Sequence, residues 1–196
     1  MMKKTMAILL CLTGLTASYI PASLADNYVI DTKGAHAFVQ FRVKHLGYSW
    51  LYGRFNEFSG EFYYDANKPE DSKISVVVDM SSLDSNHAER DKHVRSSDYL
   101  DVKKYGEARF VSRSYEVTGE KTGKLSGDLT FFGATKPLVI EVEHIGGGND
   151  PWGGYRQGFE GRATLTPADF GLDLGKKLGP AAATVELMLT VEGIRQ

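Results

Sequence analysis

Cysteine is almost absent from this chain of 196 residues, and the only one, Cys11, sits in a short apolar run near the N-terminus. A disulfide framework is therefore excluded, and the fold must rest on its hydrophobic core. A surplus of positive charge is missing too, with 23 basic against 25 acidic residues and a net charge of −2, which argues against a nucleic-acid footprint. No apolar run reaches the roughly 20 residues a membrane-spanning helix needs, since Met6 to Leu12 with a weak extension to Leu15 falls short. Catalytic signatures are equally scarce, with no HExxH or other established zinc spacing and no serine or cysteine nucleophile motif. The glycines of Gly146-Gly147-Gly148 precede a strand-like run, not a helix, so they do not form a phosphate loop.

What is present begins with Lys3 and Lys4, the apolar run, and Ser23-Leu24-Ala25 with small residues at −3 and −1. That pattern predicts a secretory signal peptide over residues 1–25 and a single exported domain over 26–196. Leu10 stands where a lipoprotein signal wants a small residue, so lipidation of Cys11 is not expected. Without Lys3 and Lys4 the domain carries 21 basic and 25 acidic residues, a net charge of −4.

After a lead-in at Tyr28-Val29-Ile30, residues 36–46 alternate, with Ala37, Val39, Phe41 and Val43 on one side and His36, Gln40, Arg42 and Lys44 on the other. Period two over this length predicts a strand with one wet face. Gly47 to Gly53 reads as an aromatic-rich connection. Further strands follow with Phe58, Gly60, Phe62 and Tyr64 in phase, then Ile74, Val76, Val78 and Met80. Alternation resumes over 108–117, 125–131 and 138–145, the last two joined as a hairpin through Gly133-Ala134-Thr135-Lys136-Pro137. Gly146 to Gly154 reads as a loop, residues 155–165 as a strand, 166–183 as loop, and Val185, Leu187, Leu189 and Val191 line a final strand.

Between the third and fourth strands the chain changes character. Asn86 with Glu89 three residues on forms a capping-box pattern, predicting a helix that starts at Asn86 and breaks at Lys103-Lys104-Tyr105-Gly106. His87 with Asp91, Glu89 with His93 and Asp91 with Arg95 are i,i+4 neighbours. Two readings stay open: a solvated helix laced with ion pairs, or a metal or acid/base site built from His87, Glu89, Asp91 and His93.

Eight long alternating strands with mostly short connections and one helical insertion predict an all-β fold, an eight-stranded antiparallel barrel. Such a barrel has room for side chains or for one small ligand. Gly60, Gly127, Gly161 and Ala163 fall on the expected inner faces, where small residues either open a bore or let strands coil at the corners.

These pieces together resemble the YceI-like family of exported, lipocalin-like proteins. The resemblance is carried by residues 36–47, by 86–100, by Gly127-Asp128-Leu129-Thr130, by 133–137, by Asp150-Pro151-Trp152-Gly153-Gly154 and by Val191-Glu192-Gly193. It departs at Val94, Tyr99 and Gly106, where Leu, Phe and a proline are expected. It implies a lipocalin-like barrel in the periplasm that carries or sequesters a long-chain isoprenoid lipid, polyprenyl or quinone-like, without catalytic residues, cofactor or metal.

On that reading the wall of an apolar bore comprises Val39, Phe41, Val43, Phe62, Tyr64, Val76, Val78, Phe110, Leu129, Phe131, Phe159, Leu187 and Leu189. Asn86, His87, Arg90 and His93 are the candidate contacts to a lipid hydroxyl or quinone oxygen, unless the helix merely plugs the barrel end. The partners expected are the lipid and a transient membrane contact, with a homodimer left open. The alternatives are a metal-dependent hydrolase-like enzyme centred on the 87–93 helix and a ligand-free, stress-related envelope protein.

Overall fold

The computed structural model describes residues 25–196, so the expected leader lies, Ala25 apart, outside the described residues. Eleven strands are formed among those residues: β1 (Asp26–Ile30), β2 (Phe38–His45), β3 (Ser49–Phe55), β4 (Phe58–Tyr64), β5 (Lys73–Asp79), β6 (Leu83–Asp84), β7 (Glu107–Val117), β8 (Thr122–Phe131), β9 (Ala134–Asn149), β10 (Tyr155–Leu165) and β11 (Val185–Arg195). Two helices accompany them, α1 (Ala88–Arg95) and α2 (Leu174–Leu178).

The eleven strands occupy eight positions in a closed antiparallel barrel. One half of β11 pairs with β2, from Val185 opposite Val43 to Thr190 opposite Phe38, and its other half pairs with β1, Tyr28 lying opposite Arg195. β1 and β2 therefore form one stave broken at residues 31–37. By the same logic β4 pairs with β1 while β3 pairs with β2, and β5 pairs with β4 while β6 pairs with β3. Two more staves are thus interrupted, and β7 to β11 complete the ring through β5, while β6 and residues 49–53 of β3 pair on one side only.

The expected eight-stranded barrel is what forms, but several local expectations are corrected. Tyr28-Val29-Ile30 is not a lead-in: it is a strand, and Tyr28 is 1% exposed and stacked on Phe62 at 4.9 Å. The aromatic connection at 47–53 contains strand β3, paired to β2 through a tight turn in which Leu46 and Gly47 have φ of 52° and 81°. The glycine loop also forms part of a strand, for β9 runs through Gly146, Gly147 and Gly148 opposite β10. A Cβ at Gly147 would collide with the Gln157 side chain, which is buried there with its Oε1 2.7 Å from His144 Nε2. The missing side chains, which suggest a loop, here make room for a neighbour's.

The helix is shorter than expected and begins later. Asn86 has φ of 63° and donates its N–H to Asp84 Oδ1, so it belongs to the turn after β6. His87 caps α1, its Nδ1 accepting from Arg90 N at 3.2 Å. Residues 85–106 and 166–184 gather at one end of the barrel, called here the mouth end, together with the β2–β3 turn. The β4–β5, β7–β8 and β9–β10 connections lie at the far end. Residues 166–183 form more than a loop: short helical turns bury Phe170 and Leu172 against the barrel, Phe170 meeting Phe131 edge to face at 5.5 Å.

Candidate functional site

The inward phase of the staves surrounds a cavity of about 510 Å³ that follows the barrel axis. This volume lies within the roughly 300–1,000 Å³ usual for small-molecule sites. All thirteen residues expected to form the wall line it: Val39, Phe41 and Val43 from β2, Phe62 and Tyr64 from β4, Val76 and Val78 from β5, Phe110 from β7, Leu129 and Phe131 from β8, Phe159 from β10, and Leu187 and Leu189 from β11. Others outside the expected wall join them, among them Phe55, Tyr115, Ile140, Leu172 and Leu178. Tyr115 escaped because a bulge between Ser112 and Ser114 resets the phase of β7.

Glycines explain why so aromatic a wall leaves space. The Phe41 ring lies across Gly53 on the neighbouring strand, Phe62 lies across Gly193, and Phe110 across Gly127, where an added Cβ would sit 2.5 Å from the ring's Cζ. Each glycine lets a ring lie flat along the wall, where otherwise it would project across the bore. Gly60 and Gly161 are likewise hemmed in by neighbours, Gly60 by the Ser75 carbonyl and Ile30. Of the two roles foreseen for small residues, at Gly127 the structure favours the one that opens a bore.

Polar lining is confined almost entirely to the ends. Lys44, His45, Arg90 and His93 stand at the mouth, and Tyr63, Ser72 and Lys73 at the far end; Glu160 is committed to Arg162 at 2.6 Å. Burial pushes the Tyr64 and Tyr115 phenols above their usual range, which keeps both neutral in the bore.

The 87–93 segment divides. Arg90 and His93 line the cavity, whereas Asn86 and His87 do not, because the turn before α1 points them to solvent. Arg90 is already engaged: Nε donates to Ser85 Oγ at 2.7 Å and Nη2 to the Ser85 carbonyl. Asp91, 5% exposed, accepts from both the backbone N–H and hydroxyl of Ser85. His93 sits edge-on to Tyr99 at 4.9 Å and 3.8 Å from Asp98. None of the expected i,i+4 ion pairs forms, since Asp91 takes Ser85 and Arg95 donates to the Leu83 carbonyl at 2.8 Å. The alternative metal or hydrolase centre at His87, Glu89, Asp91 and His93 is therefore not assembled.

Among the described residues, one trio of ligand-type side chains converges, Asp31, His36 and Glu192 on the outer wall. Its cation is a guanidinium: Arg156 reaches Asp31 and Glu192 at 2.6 Å each and Asp150 at 2.8 Å. The hydrogen bond to His36, with Arg156 second, holds the Asp31 carboxyl down at about 2.

Against this geometry the relationships are clear. Residues 28–193 match the YceI-like domain. The chain belongs to the YceI-like family. A UPF0312 protein from Ectopseudomonas mendocina is 58% identical over 174 residues, covering 89% of this chain and 90% of the relative. Among solved structures, BcnA of Burkholderia cenocepacia superposes with a TM-score of 0.74 at 22% identity, covering 83% of this chain and 98% of that one. A polyisoprenoid binding domain from Saccharophagus degradans superposes at 0.61 with 16% identity, covering 86% and 98%. At these identities the two structures speak for the barrel fold. Among the described residues no helix is long and apolar enough to cross a membrane.

Proposed function

We propose that this YceI-like protein binds a long-chain isoprenoid lipid, polyprenyl or quinone-like, in its barrel and carries or sequesters it in the periplasm after export. The observation that carries the reading is the axial cavity of about 510 Å³, lined by hydrocarbon and aromatic rings with its polar side chains near the ends. A flexible apolar tail fits such a space, and the polyisoprenoid-binding description of the Saccharophagus degradans domain agrees with the ligand class. At about 0.8 kcal/mol per buried CH₂, a dozen carbons contribute on the order of 10 kcal/mol before association costs of several kcal/mol. No charged anchor is needed for affinity. Where the ligand bears a hydroxyl or carbonyl, His93 at the mouth is the freer contact, because Arg90 is held by Ser85. The bore's lining of hydrocarbon and aromatic rings supports a reading of binding.

Organic extraction of protein purified after export, followed by mass spectrometry, tests it. A prenyl-chain lipid is expected, or stoichiometric uptake of added polyprenol by the extracted protein. A protein that arrives empty and takes up no polyprenol sinks the reading.

A further inference from the structure

The outer face of the mouth carries residues that neither the barrel nor its cavity requires. At the tip of the β2–β3 hairpin Leu46 is 59% exposed and Tyr48 87% exposed. Leu46 moreover holds φ of 52°, a left-handed conformation that glycine or asparagine adopts more easily. Below the tip Trp50 and Tyr52 face outward, and Leu178 of α2 is exposed across the opening. Leu46, His45, Lys44 and Leu178 also line the cavity, so this apolar rim is continuous with the bore.

Two of the rim's cations sit on aromatic rings. Lys44 Nζ lies 5.3 Å from the Trp50 centroid, and Lys177 Nζ lies 5.6 Å from that of Tyr99. Among the described residues Lys44, Lys176 and Lys177 have no carboxylate within ion-pair distance, whereas Arg42 is paired with Glu186. Tyrosine and tryptophan with lysine beside them suit the headgroup layer of a bilayer, where rings meet acyl chains and ammonium groups meet phosphates. We propose that the β2–β3 hairpin and α2 form a docking face for an anionic lipid bilayer, holding the cavity mouth against the membrane. The chain's net charge of −2 sharpens the orientation, because an anionic surface attracts this end and repels the remainder. If the bore carries lipid, as read above, the tail then passes from bilayer to barrel without crossing water. Docking itself does not depend on the cargo.

The test is co-sedimentation of the full chain with vesicles free of isoprenoid, either pure phosphatidylcholine or equal parts phosphatidylcholine and phosphatidylglycerol. All variants keep residues 1–24, so that segment contributes equally to each. The parent is expected to prefer the anionic vesicles and to be released by salt. Leu46→Ser with Tyr48→Ser should weaken partitioning on the order of tenfold, and Lys44→Glu with Lys176→Glu should remove the preference for anionic vesicles. Trp152→Ala, which removes another highly exposed aromatic (77%) at the far end, should change neither. Thermal melting verifies that each variant is folded, and Tyr48→Ser alone serves if the double variant is not. Parent-like binding by both mouth variants overturns the proposal, as does loss of binding in Trp152→Ala. A parent that ignores vesicles but is a dimer dissociated by the hairpin changes overturns it in favour of a second copy. Because the vesicles hold no cargo, these outcomes are independent of the extraction experiment.

Discussion

The outer wall toward the far end and the rim of the mouth use charge in opposite ways. On the wall, Arg156 is 19% exposed and fully spent on Asp31, Asp150 and Glu192, with His36 completing the cluster across the break between β1 and β2. At the mouth, Lys44 and Lys177 lie over aromatic rings with no carboxylate partner among the described residues. The first arrangement joins three separate segments, the stave break, the β9–β10 turn and β11, and each buried carboxylate needs the same cation. The second holds α2 to the segment after α1 through the Lys177 ammonium, which donates to the Asp98 carbonyl at 2.7 Å, and sets no carboxylate against either charge among the described residues. Compensation where the fold must hold, and its absence where the molecule opens, distinguishes a structural cluster from an interaction surface.

Breaking the wall cluster should have the largest effect. Arg156→Ala leaves Asp31 and Asp150 without their shared partner and is expected to lower Tm by roughly 5–10 °C in a thermal melt. If Tm barely moves, the cluster is not what secures the stave break. Gly127→Val comes next, because its Cβ meets Phe110 and the Val111 carbonyl at 2.5 Å. Overpacking should cost about 1–3 kcal/mol by denaturant titration and drive the Phe110 ring into the bore, reducing polyprenol uptake. Unchanged uptake would mean that the glycine-and-ring pairing does not keep the bore open.

Acid should expose the same contrast more gently. The Asp31 carboxyl is held at about 2, below its ordinary value near 3.9, so its contribution is complete above pH 4 and is lost as pH falls from there through about 2. Melts across that window should show the parent losing a few degrees more than Asp31→Asn, which lacks the titrating group. Parallel curves would detach the cluster from acid stability. The smallest effect belongs to the mouth, where His93→Ala should shift Tm by no more than about 2 °C while weakening a hydroxyl-bearing prenyl ligand more than a headless hydrocarbon of equal length. Equal weakening of both ligands would show that His93 makes no headgroup contact.

How far the sequence reads depends on whether a residue's partner is local. β2, β4, β5 and β11 were legible because Val, Ile, Leu and Phe alternate with polar residues at the period the pleat itself imposes. β3 was not, since Trp50 and Tyr52 face outward while Gly53 faces inward, inverting the pattern on which period-two reading relies. Within the helical segment, Asn86 and Glu89 carried a genuine capping signal. The neighbouring β6 overrode it, because Asp84 accepts the Asn86 N–H and pulls that residue into a left-handed turn. The i±4 spacing likewise points Asp91 at helix neighbours, yet its Oδ1 accepts both bonds from Ser85, buried at the end of the barrel.

The class of the fold, the eight positions of the barrel and thirteen of the inner-wall residues are legible in the chain alone, because inward phase along a strand is a local property of extended backbone. That the barrel is open, and where its charges are spent, follows from contacts between distant strands. An open bore depends on Phe41 lying over Gly53, Phe62 over Gly193 and Phe110 over Gly127, and the stave break depends on Arg156 meeting Asp31. Those contacts join separate strands whose mutual register no local pattern encodes, and closure of the ring is what brings them together.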